Sequence, residues 1–141
     1  MPNSDSAPAD APEPIGTHRA SSRANIFYVW MVGPFEESDA RVFYDRLDQL
    51  RAQHGSVYCV ADMSQAGPPT PEARRHILDR FRAGTRVDAF IYVRANLMVR
   101  AMVTLLVNAV RLTKGPIETA VVFVQSHAEA DAWLRSRKLV Q

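Results

Sequence analysis

The chain has 141 residues, 47% of them hydrophobic, 23% charged and 9% aromatic, with a net charge of +2. That balance excludes a disordered or fibrous chain and bounds the protein to about one domain with a core of its own. One cysteine, Cys59, excludes an internal disulfide framework, and 17 basic residues (15 Arg, 2 Lys) against 15 acids are too even for a strongly cationic nucleic-acid binder.

Residues 1–15 hold Pro2, Pro8, Pro12 and Pro14 among Ala, Asp and Ser. Such a segment buries too little apolar surface to offset its ordering entropy, so a disordered tail is expected over 1–15 and a single domain over 16–141. The tail has neither the basic start nor the apolar stretch of a secretory signal.

A weak strand is expected around Thr17 to Ser21, turning through Ser22 to Asn25 into the apolar run Ile26 to Val32. That run is short, β-branched and aromatic, and is closed by Gly33-Pro34; it predicts a strand buried on both faces. A helix follows, with Ser38 as N-cap and an inner stripe of Ala40, Phe43, Tyr44, Leu47 and Leu50, ending at Gly55. Val57 to Ala61 predicts the next strand, and Asp62 to Pro69 a loop. Thr70-Pro71-Glu72 is a helix start, with Thr as cap, Pro at the first helical position and Glu at the positive end of the dipole. Ala89 to Val93 and Ala120 to Val124 predict two more strands, with helices over Leu97 to Leu112 and His127 to Arg137. Strands alternating with helices imply an α/β fold with a mixed, mostly parallel sheet of four to five strands and about four helices.

The helix Leu97 to Leu112 is too apolar for one buried face. At about 24 Å it is also too short for a bilayer core of about 30 Å. Helical spacing places Met98, Met102, Leu105, Ala109 and Leu112 inward, leaving Val99, Val103, Val107 and Val110 as a second strip. That strip is explained by burial under another part of the chain, by self-association, most simply a homodimer, or by a lipid or other apolar ligand.

No nucleotide-binding glycine loop, nucleophile elbow, CxxC or HExxH motif is present, and His18, His54, His76 and His127 are scattered. No catalytic residue, metal set or cofactor is expected, and no enzymatic activity. Cys59 falls within an apolar strand, as a structural thiol does. Asp62 follows the C-terminal end of a central strand, where open α/β sheets bind ligands, with Ser64 beyond it and Arg94 and Asn96 after the next strand. These four and Thr70 are expected on one rim, each also having an ordinary turn or cap explanation. Arg75, Arg82 and Arg86 share a narrow arc of the second helix, a solvated face or a contact for an acidic partner.

The order of elements resembles the STAS superfamily, and within it the SpoIIAA-like branch of small bacterial proteins. The residues that carry the likeness are a strand running into Gly33 and then Glu36-Glu37-Ser38-Asp39, a strand running into Asp62-Met63-Ser64, and the closing segment Ala128 to Leu134 with Trp133-Leu134, expected at the sheet edge. The resemblance covers roughly residues 15–137. It implies a cytoplasmic, non-enzymatic regulatory or scaffolding module whose partner-binding surface is the helix at Thr70 with its preceding loop. Asp62, Ser64, Thr70, Arg75, Arg82 and Arg86 would then meet a protein partner, Arg94 and Asn96 would rim a ligand, and Val99, Val103, Val107 and Val110 would self-associate. The phosphorylated Asp-Ser-Ser-Gly of anti-sigma antagonists is replaced here by Pro69-Thr70-Pro71-Glu72. The alternative implied by the same branch is a module that binds a lipid or another small molecule. No nucleic-acid partner and no transmembrane segment are expected.

Overall fold

The computed structural model describes residues 12–114 and 118–138, so most of the expected tail lies outside the described residues. The elements are β1 (Glu13–Ile15), β2 (His18–Arg23), β3 (Ile26–Phe35), α1 (Glu37–His54), β4 (Tyr58–Pro69), α2 (Pro71–Arg82), β5 (Ala89–Val93), α3 (Leu97–Lys114), β6 (Ala120–Val124) and α4 (His127–Lys138). The six strands form one sheet in chain order. β1, β2 and β3 pair antiparallel, and β3 to β6 pair parallel.

The α/β expectation holds, with more strands than the four or five inferred. The extra strand is β1, inside the segment expected to be disordered. Ile15 is buried there and pairs with His18, so the folded unit begins before residue 16.

Chain-order strands joined by right-handed crossovers place α1, α2 and α3 on one face of the sheet and leave α4 to the other. Strand alternation sorts the residues. Phe27, Val29, Cys59, Ala61 and Phe90 meet α1 and α2, while Tyr28, Tyr58, Val60, Ile91 and Val93 meet α4. Trp133 and Leu134 of α4 pack on that second face, where α4 meets β5 and the edge strand β6. They are its cover because no other helix among the described residues lies there.

β3 and β4 both run farther than their apolar runs. Beyond Trp30↔Asp62 the pairing continues as Val32↔Gln65, Gly33↔Ala66 and Phe35↔Pro69, with two register shifts. The expected loop Asp62 to Pro69 is therefore strand. The shifts absorb Pro34, which has no N–H to give to a ladder. Gly67 permits the close approach: a Cβ there would stand 2.9 Å from the Gly33 carbonyl carbon.

The cap of α1 lies two residues before the expected one. Glu36, not Ser38, is the N-cap, and its N–H donates to the Asp39 carboxylate at 3.0 Å. Asp39 is held in turn by His18, whose Nε2 lies 3.2 Å from it while Nδ1 accepts the Val32 N–H at 2.9 Å. His18 is thus a fully satisfied core histidine tying β2, β3 and α1 together.

α3 presents the opposite face to that expected. Val99, Val103 and Val110 are buried, whereas Met98, Leu105 and Leu112 are exposed. The valine strip therefore cannot serve self-association while α3 is docked. The reason is opposite the helix: Val99 and Val103 pack against Tyr92, Val121 and Phe123, and large rings on the sheet require short side chains above them.

Candidate functional site

Two places carry more than packing. The first follows from strand register. Trp30, Asp62, Val93 and Val124 are successive partners across β3 to β6, so all four side chains lie in one row on the α4 face. Three residues past Val124, α4 begins with His127, which brings its ring over that row. Ser126 caps α4 by accepting the Glu129 N–H.

Asp62 is the centre of this row. One carboxylate oxygen accepts the Ser64 N–H at 3.0 Å and the Ser64 hydroxyl at 2.7 Å. The other lies 2.8 Å from His127 Nε2 and 3.2 Å from an Arg94 guanidinium nitrogen. Burial works to raise the Asp62 carboxyl, but the hydrogen bonds from His127 and Ser64 outweigh it and hold it at about 2. Arg94 reaches Asp62 because its φ of 58° breaks the strand alternation immediately after Val93.

His127 is itself buried and stacked on Trp30, ring centroids 6.1 Å apart, and Trp30 stacks on Tyr28 in turn. His127 Nδ1 and Trp30 Nε1 are both covered and have no partner among the described residues. His18 satisfies both ring nitrogens against Asp39 and Val32; His127 satisfies one.

Of the expected rim, the structure brings Asp62, Ser64 and Arg94 together. Thr70 and Asn96 are elsewhere, each as a helix cap: Thr70 accepts the Ala73 N–H at 3.1 Å and Asn96 the Val99 N–H at 2.9 Å. Arg75, Arg82 and Arg86 stand exposed on α2 and its following turn, on the other side of the sheet from Asp62. Arg82 lies 3.5 Å from Asp79, and Arg86 donates to Glu118 at 3.0 Å. One surface holding Asp62 with the three arginines is therefore not formed.

The second place is a cavity of about 130 Å³ between α2, α3 and the sheet, lined by Met31, Met63, Tyr92, Met102 and Leu106 among other apolar groups. Met98, which is 65% exposed, stands at its rim, as do Pro68 and Gly67 from the extended arm of β4. Below it Phe81, Phe90, Tyr92 and Phe123 form a run of ring contacts. Burial pushes the Tyr92 hydroxyl and the Cys59 thiol up, so both stay protonated.

Sequence reasoning missed His127, Trp30 and this cavity. The signal for the first was present: a histidine opening a helix directly after the last strand sits over the strand ends.

No family model matches the chain, and no curated protein matches it in sequence. Solved structures do. An anti-sigma factor antagonist, SpoIIAA in its unphosphorylated form, superposes with a TM-score of 0.50 at 9% identity, covering 86% of this chain and 99% of that one. An uncharacterised protein of the DUF3478 family from Shewanella loihica PV-4, described as having a SpoIIAA-like fold, gives 0.57 at 12% identity over 92% and 99%. The fold is SpoIIAA-like. That agrees with the STAS resemblance carried by Asp62-Met63-Ser64 and the closing helix. Identity this low carries the fold, and within it Asp62 anchors the sheet face that α4 covers. No helix among the described residues is long and apolar enough to cross a membrane.

Proposed function

We propose that this SpoIIAA-like chain is a non-enzymatic regulatory module that works by binding, and that its ligand is a small apolar molecule held between α2, α3 and the sheet. The observation that carries this reading is the cavity of about 130 Å³ with almost wholly apolar lining and Met98 at its rim. A dry apolar cavity of about 150 Å³ accepts a benzene ring. The size suits one ring or a short aliphatic chain; a two-chain lipid needs α3 to move.

The Asp62–His127 pair does not argue for an enzyme. Its Nε2 is occupied by Asp62 and its Nδ1 is covered, so neither nitrogen reaches a substrate proton. Cys59 is covered and its thiol is pushed up by burial.

The test is thermal denaturation with benzene, indole and hexanoate, beside native mass spectrometry of the purified protein. A ligand at about 100 times its Kd stabilises by about 2.7 kcal/mol. Leu106→Phe, which narrows the cavity from its α3 wall, should abolish that shift while the parent fold is retained. No stabilisation by any probe and no co-purified mass would count against the reading.

A second reading is a cytoplasmic protein-partner module, favoured by the exposed Arg75, Arg82 and Arg86 on the helix that the STAS resemblance makes the partner surface. One structural neighbour is an anti-sigma factor antagonist. Arg75→Glu with Arg82→Glu should leave stability within about 0.5 kcal/mol and abolish capture of an acidic partner. Unchanged capture would remove this surface.

A further inference from the structure

The two edges of the sheet are built differently. At one edge β1 is three residues long and carries Glu13 and Pro14, a charge and a missing N–H that both discourage further pairing. At the other edge β6 has five apolar residues, no proline, no charge and an unbroken register with β5. β5 is its only ladder partner among the described residues. All five residues of β6 stay half-exposed, whereas their neighbours Ala89, Phe90, Ile91 and Val93 in β5 are buried. That exposure lies along the edge, because α3 covers one face of the strand and α4 the other.

The unpaired groups can be named. Ala120 donates its N–H to the Asp88 carbonyl and the Val124 carbonyl accepts the Arg94 N–H, so Ala120, Val122 and Val124 turn their backbone toward β5. Val121 and Phe123 therefore turn N–H and C=O outward. Beyond them the Gln125 N–H is closed by the Glu129 carboxylate. This open stretch accepts one extended segment. In an antiparallel segment, the residues that bond to Val121 and Phe123 share the α3 face with them, and those between lie on the α4 face beside Val122.

The charge above the edge is of one sign. Arg100 lies 5.0 Å over the Phe123 ring. Around α3, Arg111 falls within about 20° of Arg100, while Met102, which lines the gap beside α2, is about 160° away. The Arg100–Arg111 stripe thus overhangs the outer side of β6, and α3 has no acidic residue to neutralise it. Glu118 and Glu129, which bracket the strand, are engaged by Arg86 and the Gln125 N–H. A second copy on β6 would bring its own Arg100 and Arg111 against this stripe. We propose that β6 takes an extended segment of an acidic protein partner as one further strand, with acidic side chains toward Arg100 and Arg111 and apolar ones beside Val122. Main-chain hydrogen bonds to Val121 and Phe123 supply the docking, and the two arginines supply the charge preference. This surface is separate from the cavity and from the arginines of α2, so its test bears on neither.

The probe is a fluorescently labelled peptide of alternating Glu and Val, about eight residues long, read by anisotropy against the full chain. It should bind with a Kd below about 1 mM, and the amide signals of Val121 and Phe123 should shift in a heteronuclear NMR spectrum. A peptide with Lys in place of Glu should bind at least about tenfold more weakly, and Arg111→Glu should weaken the Glu peptide about fivefold. Val121→Pro removes an outward N–H that β5 does not use, so its melting temperature should stay near the parent's while binding is lost. A Glu peptide N-methylated at its glutamates blocks the same ladder from the other side, leaves the parent protein unaltered, and should not bind. Absence of saturable binding by about 1 mM, equal binding of the Lys peptide, or binding that survives either block overturns the proposal. So does a dimer of the parent that Val121→Pro dissociates, which would put a second copy on this edge instead.

Discussion

Replacing Asp62 by Asn tests whether the α4 face is held by this one carboxylate. Asp62 accepts from four donors: the Ser64 N–H and hydroxyl, His127 and Arg94. Asn keeps the shape but offers one acceptor oxygen and one NH₂. With the oxygen toward Ser64, the NH₂ faces the His127 and Arg94 donors. His127 can change tautomer to accept at Nε2, but that puts a hydrogen on Nδ1, which is buried with no partner among the described residues. Hydrogen bonds to a charged group contribute about 1.5–3 kcal/mol each, and Arg94 recovers some of its loss from water because its side chain is 39% exposed. The expected cost is about 2–4 kcal/mol at neutral pH, or roughly 8–16 °C in Tm. The pH dependence has a fixed sign. The folded carboxyl sits at about 2, below its ordinary 3.8. Its contribution is therefore complete above about pH 4 and is lost as pH falls toward 2. Urea unfolding followed by the fluorescence of Trp30 and Trp133 should show parent and Asp62→Asn converging over that window. A variant within about 0.5 kcal/mol of the parent at pH 7, or a gap that does not narrow on acidification, would refute the reasoning.

Two further outcomes follow from the packing. Gly16 has φ +60°, and a Cβ there would lie 2.2 Å from an Asp39 carboxylate oxygen. Gly16→Ala should push Asp39 off His18 and cost about 2–4 kcal/mol in urea unfolding, whereas a cost under about 0.5 would show that the His18–Asp39 pair does not tie β2 to α1. Cys59 is fully buried, with its thiol pushed up by burial. At about pH 8 a thiol reagent should label it no faster than the chain unfolds, and urea should accelerate the reaction. Immediate stoichiometric labelling of the native protein would contradict the placement of this strand.

The parts of the fold that sequence reasoning found are those with a single physical solution. Ile26 to Val32, Val57 to Ala61 and Ala89 to Val93 are short apolar runs with nowhere to go but a central sheet, and Thr70-Pro71-Glu72 is a cap at the level of residue chemistry. What it missed depends on a partner far along the chain. β1 is three residues of no strand character until His18 to Ala20 lies beside it. Asp62 to Pro69 has turn composition, yet becomes strand because the Gly33 to Phe35 segment runs alongside and Gly67 lets it close in. His127 and Asp62 are 65 residues apart, and only the register Asp62↔Val93↔Val124 makes them neighbours.

Helix α3 shows why periodicity alone could not choose. Both of its stripes are apolar, so the hydrophobic pattern allows two rotations about the helix axis that differ by roughly half a turn. The choice is made by the opposing sheet. Tyr92 and Phe123 stand up from β5 and β6, and Arg100 lies 5.0 Å over the Phe123 ring. Above such rings short, stiff valines fit, and Val99 and Val103 occupy those positions. Longer Met98, Leu105 and Leu112 are turned out, while Met102 and Leu106 line the gap beside α2, Leu106 against the main core. The valines of the helix thus seat it on the sheet, and its longer side chains face the gap beside α2. The same side-chain choice leaves both the cavity beneath α3 and the apolar ridge upon it. Enlarging Leu106 therefore acts on the cavity, while charging Leu105 or Leu112, which do not line it, leaves it in place.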